Sequence, residues 1–386
     1  MNNRNVEAGI AEGELGDIVD AYAGKLMPNV QMKTFANTHE IFPVRTIKKG
    51  LKSTTFSRSS RSLNDLVIPS GGEECDLYDY VSRNRLVGLL ALKDGELVHE
   101  YYDGGIDANT RWMSMSMAKS VSTTLVGAAI KDGYIDSVED QLVKYMPELS
   151  GSGYDGVSIR HLMQMTSGVK WDDTHTTPES ERRTMLDLQV SQQAGAIMEF
   201  MASLPRIAEP GSVWNYSTGE THVVGALVRA ATGKWLADYA SEKIWSKVGM
   251  QQDAAWWLEA PGGLEVAGSG ICASLHDYAC LGQFALDRGI VDGEAMVPDN
   301  WFAEATKVRV VNADTLNYGY MWWPVPDREG SHHEGAFSAR GIFGQYIYVN
   351  PTRRIVLTVM SCRAKPKFSE AIPDNDFFNA ATDALG

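Results

Sequence analysis

Apolar and polar positions follow a strand-like pattern in two separate parts of the chain. Residues 87–92 and 97–102 are two such runs joined by an Asp-Gly turn, which predicts a β-hairpin. Residues 343–351 and 355–361 repeat this arrangement around a basic turn near the C-terminus. Strands are therefore expected towards both ends of the chain.

Elsewhere, apolar residues recur at helical spacing and most of these runs end at a glycine signal. Residues 1–65 are instead polar and weakly periodic, and we expect them to wrap the body of the protein as an extension. Helices are predicted at residues 74–84, 116–131, 157–165, 194–203, 222–231, 235–247, 276–288 and 376–385.

This order predicts an α+β fold in which both chain ends build one antiparallel sheet flanked by helices. Residues 66–135 and 266–386 would form this α/β domain around the central sheet. Residues 136–265 would form an inserted, mostly helical domain.

Composition narrows the class of protein. The 386 residues are 44% hydrophobic and 22% charged, and the net charge of −14 without a basic run argues against nucleic acid or an anionic membrane as a partner. No stretch approaches the ~18 apolar residues of a membrane span, and the N-terminus lacks the apolar core of a signal peptide. The four cysteines show no metal-like spacing. We therefore expect a cytoplasmic protein without a metal or cofactor.

Candidate chemistry begins at Ser116, where the tetrad Ser-Met-Ala-Lys opens a predicted helix. Side chains three positions apart share a helix face, so the Lys119 amine can reach the Ser116 hydroxyl. A serine becomes a good nucleophile when a neighbouring base takes its proton. Lys119 also lies in an apolar run with no other charge before Lys131, and a buried lysine must be neutralised or paired. A surface lysine one turn after a helix cap is the alternative explanation.

A second candidate is Tyr216, about a hundred residues downstream. It lies in the segment Glu-Pro-Gly-Ser-Val-Trp-Asn-Tyr-Ser-Thr-Gly at residues 209–219, which proline and glycine delimit as a loop between helices. A structural tyrosine with its ring in the core is the alternative.

With Ser116-Met-Ala-Lys119 and Tyr216-Ser-Thr218 together, the chain resembles the serine β-lactamase and penicillin-binding-protein superfamily. The closer resemblance is to its class C-like branch, which includes family VIII carboxylesterases and 6-aminohexanoate-dimer hydrolases. It extends from about residue 85 to the C-terminus, with shorter matches at residues 145–149, 153–156, 160–163, 165–168, 209–211 and 343–345.

The resemblance implies a β-lactamase/transpeptidase-like fold with the active site in the cleft between its two domains. It implies that Ser116 is the acylated nucleophile and that Lys119 favours a tyrosinate at Tyr216. Tyr216 would then be the general base for acylation and the acid for the leaving group. The sequence leaves open which of Lys119 and Tyr216 carries the proton. The oxyanion hole would consist of the backbone N–H groups of Ser116 and Ile342.

Departures from the family pattern concern the substrate. Phe343-Gly344 stands in place of the usual Lys-Thr-Gly, so a β-lactam carboxylate would lose its cationic partner. Thr218 replaces the Asn or Ser that commonly ends the second motif. Where 6-aminohexanoate-dimer hydrolases grip their substrate, this chain has His175, a residue near 186–187, and Gly268, and a solvated loop is the alternative for His175. The substrate-binding residues suggested by the resemblance are Thr218, His175, Gly268, Phe343 and Gly344.

The leading hypothesis is a serine hydrolase that acts through an acyl-enzyme on carboxylic esters, and also on amides, of small or medium molecules. An amidase of the 6-aminohexanoate-dimer hydrolase or D-aminopeptidase type is the alternative among enzymes. A non-catalytic, penicillin-binding-like sensor is the alternative outside enzymes, and only the altered Phe343-Gly344 motif favours it. The expected partner is a small-molecule ester or amide, and a homodimer is left open.

Overall fold

The strands of the protein come from both ends of the chain, as the sequence predicts. The computed structural model describes residues 15–386; the first part of the predicted extension, residues 1–14, lies outside it. The strands are β1 (Val44–Ile47), β2 (Val67–Ser70), β3 (Glu73–Asp76), β4 (Leu86–Lys93), β5 (Glu96–Tyr102), β6 (Trp112–Met113), β7 (Ala254–Trp257), β8 (Ile271–Ala273), β9 (Ile290–Val291), β10 (Glu294–Ala295), β11 (Arg309–Val311), β12 (Asp314–Leu316), β13 (Trp323–Pro324), β14 (Phe337–Gly341), β15 (Gln345–Asn350) and β16 (Ile355–Ser361).

Helices occupy most of the middle of the chain and flank the strands. They are α1 (Ile18–Tyr22), α2 (Pro28–Ala36), α3 (Leu77–Arg83), α4 (Met117–Lys131), α5 (Ile159–Met163), α6 (Glu181–Ser191), α7 (Ala196–Ser203), α8 (Thr218–Thr232), α9 (Leu236–Ala240), α10 (Ser246–Val248), α11 (Leu275–Leu286), α12 (Trp301–Ala305) and α13 (Asp374–Leu385). None of the helices within residues 15–386 is long and apolar enough to cross a membrane.

The main sheet has six antiparallel strands in the order β13-β14-β15-β16-β4-β5. The pairing of β4 with β16 joins the two predicted hairpins across the whole length of the chain. Successive side chains of a strand point to opposite faces. Leu90 and Leu92 accordingly lie in the core beneath α11, while Leu89 and Ala91 lie in the core beneath α3 and α13. The predicted α+β class is confirmed.

A second, smaller sheet leads directly into the candidate site. Its order is β1-β7-β8-β6, and the N-terminal segment supplies its edge strand β1. Strand β7 lies inside residues 136–265, the segment predicted to be mostly helical. The division into two domains stays a prediction.

Helix α4 is buried on almost every side, although it contains serine and threonine residues. Their hydroxyl groups donate to carbonyl oxygens of neighbouring loops: Ser120 to Met321 at 2.7 Å, Ser122 to Ala267 at 2.9 Å and Thr123 to Tyr320 at 2.8 Å. A buried hydroxyl without a partner would destabilise the fold, so these bonds fix where the loops lie relative to α4.

The periodicity of the sequence did not predict some of the helices and strands, or placed their ends wrongly. Helix α6 lies in a polar stretch that shows no clear apolar period. Helix α8 begins four residues before its prediction because the Ser217 hydroxyl accepts the backbone N–H of Glu220 and caps it. Strand β13 has only two residues, too few for an alternation to be recognised, and β14 was also not predicted.

The N-terminal segment is part of the core. Phe35 of α2 is fully buried, and its ring packs edge-to-face on Trp112 and Phe343 with centroids 5.7 and 5.2 Å apart. Trp112 precedes the candidate nucleophile and Phe343 belongs to the turn after β14. Through Phe35 the segment therefore holds together two regions that adjoin the candidate site, and we call this pair of contacts the clamp.

Replacing Phe35 with alanine tests this clamp. Phe35→Ala should lower the free energy of unfolding by about 3–5 kcal/mol, because a buried aromatic ring leaves a cavity. Urea denaturation followed by fluorescence measures the change. Met27→Ala, at a side chain that is 51% exposed in the same segment, should stay within about 0.5 kcal/mol of the wild type. Equal effects of the two substitutions would contradict the clamp.

Candidate active site

Ser116 lies at the junction between the small sheet and helix α4. Strand β6 pairs with β8, and the N–H of Ser114 donates to the carbonyl of Ile271 at 2.7 Å. Met115 then adopts a positive φ of 47°, a conformation that is unfavourable for a residue with a side chain. Such strain is concentrated at functional sites. The turn at Met115 places Ser116 at the N-terminus of α4, where Ser116 lines a cavity.

Lys119 is buried one turn further along α4, with 1% of its surface exposed. Its Nζ atom lies 3.0 Å from Ser116 Oγ and donates to the carbonyl oxygen of Gly268 at 2.9 Å. The bond from Ser122 to the carbonyl of Ala267 holds the residue next to Gly268. The amine is therefore aimed at the Ser116 hydroxyl by its own helix and by the loop before β8.

Tyr216 reaches the same point from the loop before α8. Asn215 anchors this loop, because its N–H donates to the carbonyl of Met165 at 2.9 Å and its side chain donates to the carbonyl of Trp171 at 2.8 Å. Tyr216 lines the same cavity as Ser116, whose hydroxyl lowers the pKa of the phenol, and Lys119 Nζ lies 5.2 Å from the centroid of the Tyr216 ring. The structure thus brings Ser116, Lys119 and Tyr216 together.

Burial controls the electrostatics of this group. It lowers the pKa of Lys119 to about 7; Asp173 raises that pKa, while Arg182 and Lys367 lower it. Burial, followed by the charge of Asp173, raises the pKa of Tyr216 well above its ordinary value. Near neutral pH a substantial share of the amine is therefore unprotonated and able to accept a proton, whereas the phenol keeps its own. Burial thus works against the tyrosinate that the resemblance implies, because it removes the hydration of a phenolate.

A cavity of about 500 Å³ opens above these side chains. Aromatic rings of Trp214, Trp323 and Tyr346 form part of its wall. The other tryptophans that flank the site in the sequence, Trp112, Trp171 and Trp322, are buried in the core. An apolar wall of this kind excludes water and suits an acyl chain.

The expected oxyanion hole lies at the edge of this cavity. Ile342 begins the turn between β14 and β15 and lines the cavity beside Ser116. Gly341 allows this approach, because a Cβ atom there would lie only 2.7 Å from the carbonyl oxygen of Ser114. Within residues 15–386, neither the N–H of Ser116 nor that of Ile342 donates to a protein acceptor. Both donors are available to a ligand.

Two of the five expected substrate-binding residues, His175 and Gly344, line the cavity. His175 is half-buried in its loop: its ring stacks on Tyr22 of α1 at 5.4 Å, and burial lowers its pKa to about 3. The N-terminal segment thus reaches the wall of the site.

The other three expected positions, Thr218, Gly268 and Phe343, are not among the residues that line the cavity, and their role in substrate binding stays a prediction. The Thr218 side chain is buried beside Gly268, and the Gly268 carbonyl is occupied by Lys119. The ring of Phe343 turns inward onto Phe35 because φ at Phe343 is 63°.

Asp173 is a residue that sequence reasoning missed. It lines the cavity, accepts the indole N–H of Trp171 at 2.9 Å and accepts the backbone N–H of Thr218 at 3.0 Å. Burial alone would raise the pKa of Asp173, but His175, Lys119 and Arg182 together lower it. The carboxylate therefore keeps its negative charge close to Lys119. The Trp-Asp-Asp sequence at 171–173 was the available signal.

Outside the cavity, residues 15–386 contain one close group of potential metal ligands, namely His276, Asp277 and Cys280. The Asp277 carboxylate already accepts the backbone N–H groups of Gln251 and Gln252 at 2.7 and 3.2 Å. The group therefore has a structural role at the start of α11.

Comparison with known proteins gives a family match and a shared fold. The profile of the family described as Beta-lactamase matches residues 82–379. The chain is 26% identical over 298 residues to the 6-aminohexanoate-dimer hydrolase of Paenarthrobacter ureafaciens, covering 72% of this chain and 73% of that protein. Among solved structures, a protein of Bacillus anthracis provisionally assigned as a 6-aminohexanoate-dimer hydrolase superposes with a TM-score of 0.79 at 23% identity, covering 92% of this chain and 94% of that one. A family VIII carboxylesterase superposes with a TM-score of 0.59 at 17% identity, covering 77% of this chain and 91% of that one.

The pKa of Lys119 predicts how the reactivity of Ser116 depends on pH. The unprotonated amine is the form that accepts the serine proton, so the rate of labelling by a fluorophosphonate should rise with pH and level off above an inflection near 7. Mass spectrometry of the labelled protein between pH 5 and 9 measures this rate. Lys119→Ala should abolish the inflection. An inflection near 10 in the wild type would contradict a lysine with a lowered pKa.

Proposed function

Because the chain belongs to the Beta-lactamase family and is a hydrolase of this superfamily, we propose that it cleaves carboxylic esters, and also amides, of small or medium molecules through an acyl-enzyme on Ser116. The observation that carries the proposal is the buried Lys119 amine 3.0 Å from Ser116 Oγ, with a pKa lowered to about 7. The cavity above it holds room for a small substrate with an apolar part.

Acylation begins with proton transfer from Ser116 to Lys119. As Oγ attacks the substrate carbonyl carbon, Nζ takes the hydroxyl proton and becomes an ammonium. The negative charge that develops on the carbonyl oxygen is held by the N–H groups of Ser116 and Ile342, both of which are without a protein acceptor in the described part of the chain.

Collapse of the tetrahedral intermediate releases the leaving group. Tyr216, whose raised pKa keeps it protonated, donates its phenolic proton to the departing oxygen or nitrogen. The acyl-enzyme then has an ammonium at Lys119 and a phenolate at Tyr216, two opposite charges a few ångströms apart.

Hydrolysis of the acyl-enzyme runs the same transfers in reverse with water. The Tyr216 phenolate takes a proton from the attacking water, and the Lys119 ammonium returns its proton to Ser116 Oγ as the ester bond to the serine breaks. Every proton is thereby restored to its starting atom. The tyrosinate that the resemblance implies belongs to this intermediate rather than to the resting enzyme.

An amidase of the 6-aminohexanoate-dimer hydrolase type is the second candidate, favoured by the 26% identity to that enzyme. Turnover of a p-nitrophenyl ester compared with that of a linear amide dimer distinguishes the two. A non-catalytic, penicillin-binding-like sensor is the alternative outside enzymes, and stable accumulation of acylated Ser116 without release of product would favour it.

Substitution of the nucleophile and its base tests the proposed reaction. Ser116→Ala and Lys119→Ala should each lower kcat/KM for a p-nitrophenyl ester by at least ~10³-fold, because the acyl-enzyme no longer forms or forms without a base. Two exposed positions provide matched controls: Ser191→Ala on α6 and Lys131→Ala at the end of α4 should stay within about 2-fold of the wild type. Phosphonate labelling at a serine other than Ser116 would overturn the proposal.

The role of Tyr216 is tested by the leaving group. Tyr216→Phe should lower kcat/KM for an alkyl ester by about 10²–10⁴-fold, since an alkoxide needs a proton to depart. The loss should be clearly smaller for a p-nitrophenyl ester of the same acid, whose phenolate departs unprotonated. Parallel steady-state kinetics with the two esters measure the difference. Equal losses for both would assign Tyr216 a structural role.

A further inference from the structure

A buried carboxyl group lies behind the loop that carries Tyr216 and takes no part in the proposed reaction. This group belongs to Glu220 in the first turn of α8, and only 3% of the residue is exposed. Within residues 15–386 it forms no ion pair. An ionised carboxylate that is removed from water without an opposite charge strongly destabilises a fold. The position therefore favours a carboxyl that keeps its proton.

Glu220 is tied to the segment of residues 165–169, which we call the supporting segment. The hydroxyl of Ser167 donates to Glu220 Oε1, and the same hydroxyl oxygen accepts the backbone N–H of Val169 at 3.0 Å. The second carboxyl oxygen, Oε2, is buried and has no partner in the described part of the chain. A carboxyl with its proton on Oε2 can thus accept the Ser167 bond without carrying a charge.

The supporting segment holds the loop of residues 211–217, which we call the Tyr216 loop. The N–H of Asn215 donates to the carbonyl of Met165 at 2.9 Å, and the N–H of Ser217 donates to the sulfur of Met165 at 3.3 Å. The Ser217 hydroxyl in turn accepts the N–H of Glu220 at 3.1 Å. Glu220 therefore contacts both the supporting segment and the end of the Tyr216 loop, and it joins the two.

The groups that face Glu220 are phenols. Burial raises the pKa values of Tyr154 and Tyr318, and the charge of Glu220 adds to this rise, so both phenols stay neutral beside it. The cations of the helices packed against α8 face other partners: Lys119 faces Ser116, Arg160 pairs with Glu139, and Arg182 lies over the ring of Tyr22. No neighbouring cation is in place to stabilise an ionised Glu220.

This environment sets when the carboxyl ionises. Burial raises the pKa of Glu220 to about 8, although the hydrogen bond from Ser167 acts in the opposite direction. The group is therefore mostly protonated near neutral pH, where an ordinary glutamate is ionised. As the pH rises through about 8, a buried charge appears without a partner. Such a charge is stabilised only if water enters or the side chain moves outward, and either change loosens the contact with Ser167.

We propose that Glu220 is a positioning residue for Tyr216: in its protonated form it holds the Tyr216 loop on the supporting segment, and protonation of the leaving group by Tyr216 fails when Glu220 loses its proton. Glu220 itself does not line the cavity, so it acts through the loop. This inference rests on the proposed function, because it adds a control by pH to the same site.

Two esters of one acid, ethyl butyrate and p-nitrophenyl butyrate, test the inference. The measured quantity is the ratio of kcat/KM for the ethyl ester to that for the p-nitrophenyl ester, since the contribution of Lys119 is common to both. In the wild type this ratio should fall by about 10-fold between pH 7 and pH 9, as a group with a pKa of about 8 passes from protonated to ionised. Fluorophosphonate labelling of Ser116, which releases fluoride without a proton, should stay level over the same range.

Three variants assign the effect to this carboxyl. Glu220→Ala removes the acceptor of Ser167 and should lower the ratio at pH 7 by about 10-fold, the range expected for a lost buried hydrogen bond. Glu220→Gln keeps an acceptor but cannot ionise, so it should recover most of that loss and show no fall between pH 7 and pH 9. Glu199→Gln, at an exposed glutamate on α7, is the matched control and should keep the pH profile of the wild type.

A wild-type ratio that stays constant from pH 7 to pH 9, or that falls equally in Glu220→Gln, overturns the inference. A parallel fall in Ser116 labelling overturns it too, because it shows a general loss of structure. Thermal unfolding shows whether Glu220→Ala is folded; if it is not, the profiles of the wild type and Glu220→Gln decide. Continued Ser116-dependent hydrolysis of p-nitrophenyl butyrate leaves the proposed function intact in each of these cases. Absence of Ser116-dependent hydrolysis of both esters overturns the proposed function itself.

Discussion

The arrangement of the site depends on one buried amine. Lys119 stands in a helix that is packed on almost every side, and its Nζ contacts only the Ser116 hydroxyl and the Gly268 carbonyl as hydrogen-bond partners in the described structure. Without water, an ammonium at this place is poorly stabilised, so the lysine gives up its proton easily. The same dehydration strengthens the hold of the Tyr216 phenol on its proton. One physical cause thus moves the pKa values of the two groups in opposite directions.

The fold supplies this dehydration by bringing together segments that are far apart in the chain. The strained Met115 turn presents Ser116, the loop before β8 supplies the Gly268 carbonyl, and the Gly341 contact with Ser114 brings the turn after β14 to the nucleophile. That turn is held in place because β4 and β16 join the two ends of the chain in one sheet. The sheet therefore positions the candidate site as well as stabilising the fold.

The sequence predicted those parts that depend on neighbours along the chain. The two hairpins and helix α4 have local periods, and Lys119 was recognised because no other charge interrupts its run. Tyr22, Asp173 and Glu220 could not be placed in this way. Their roles come from contacts across the fold, such as the stacking of Tyr22 on His175 and the hydrogen bond from Ser167 to Glu220. No local pattern records such contacts.

The missing family cation illustrates this limit most clearly. From the sequence, Phe343-Gly344 indicates the loss of a positive charge at the turn after β14. In the fold, a positive φ turns Phe343 into the core, where its ring supports the N-terminal segment through Phe35. Arg340 and Ile342, two positions apart, both line the cavity. The change of motif therefore leaves the turn after β14 at the cavity, where the Ser116 and Ile342 N–H groups donate to no acceptor within residues 15–386.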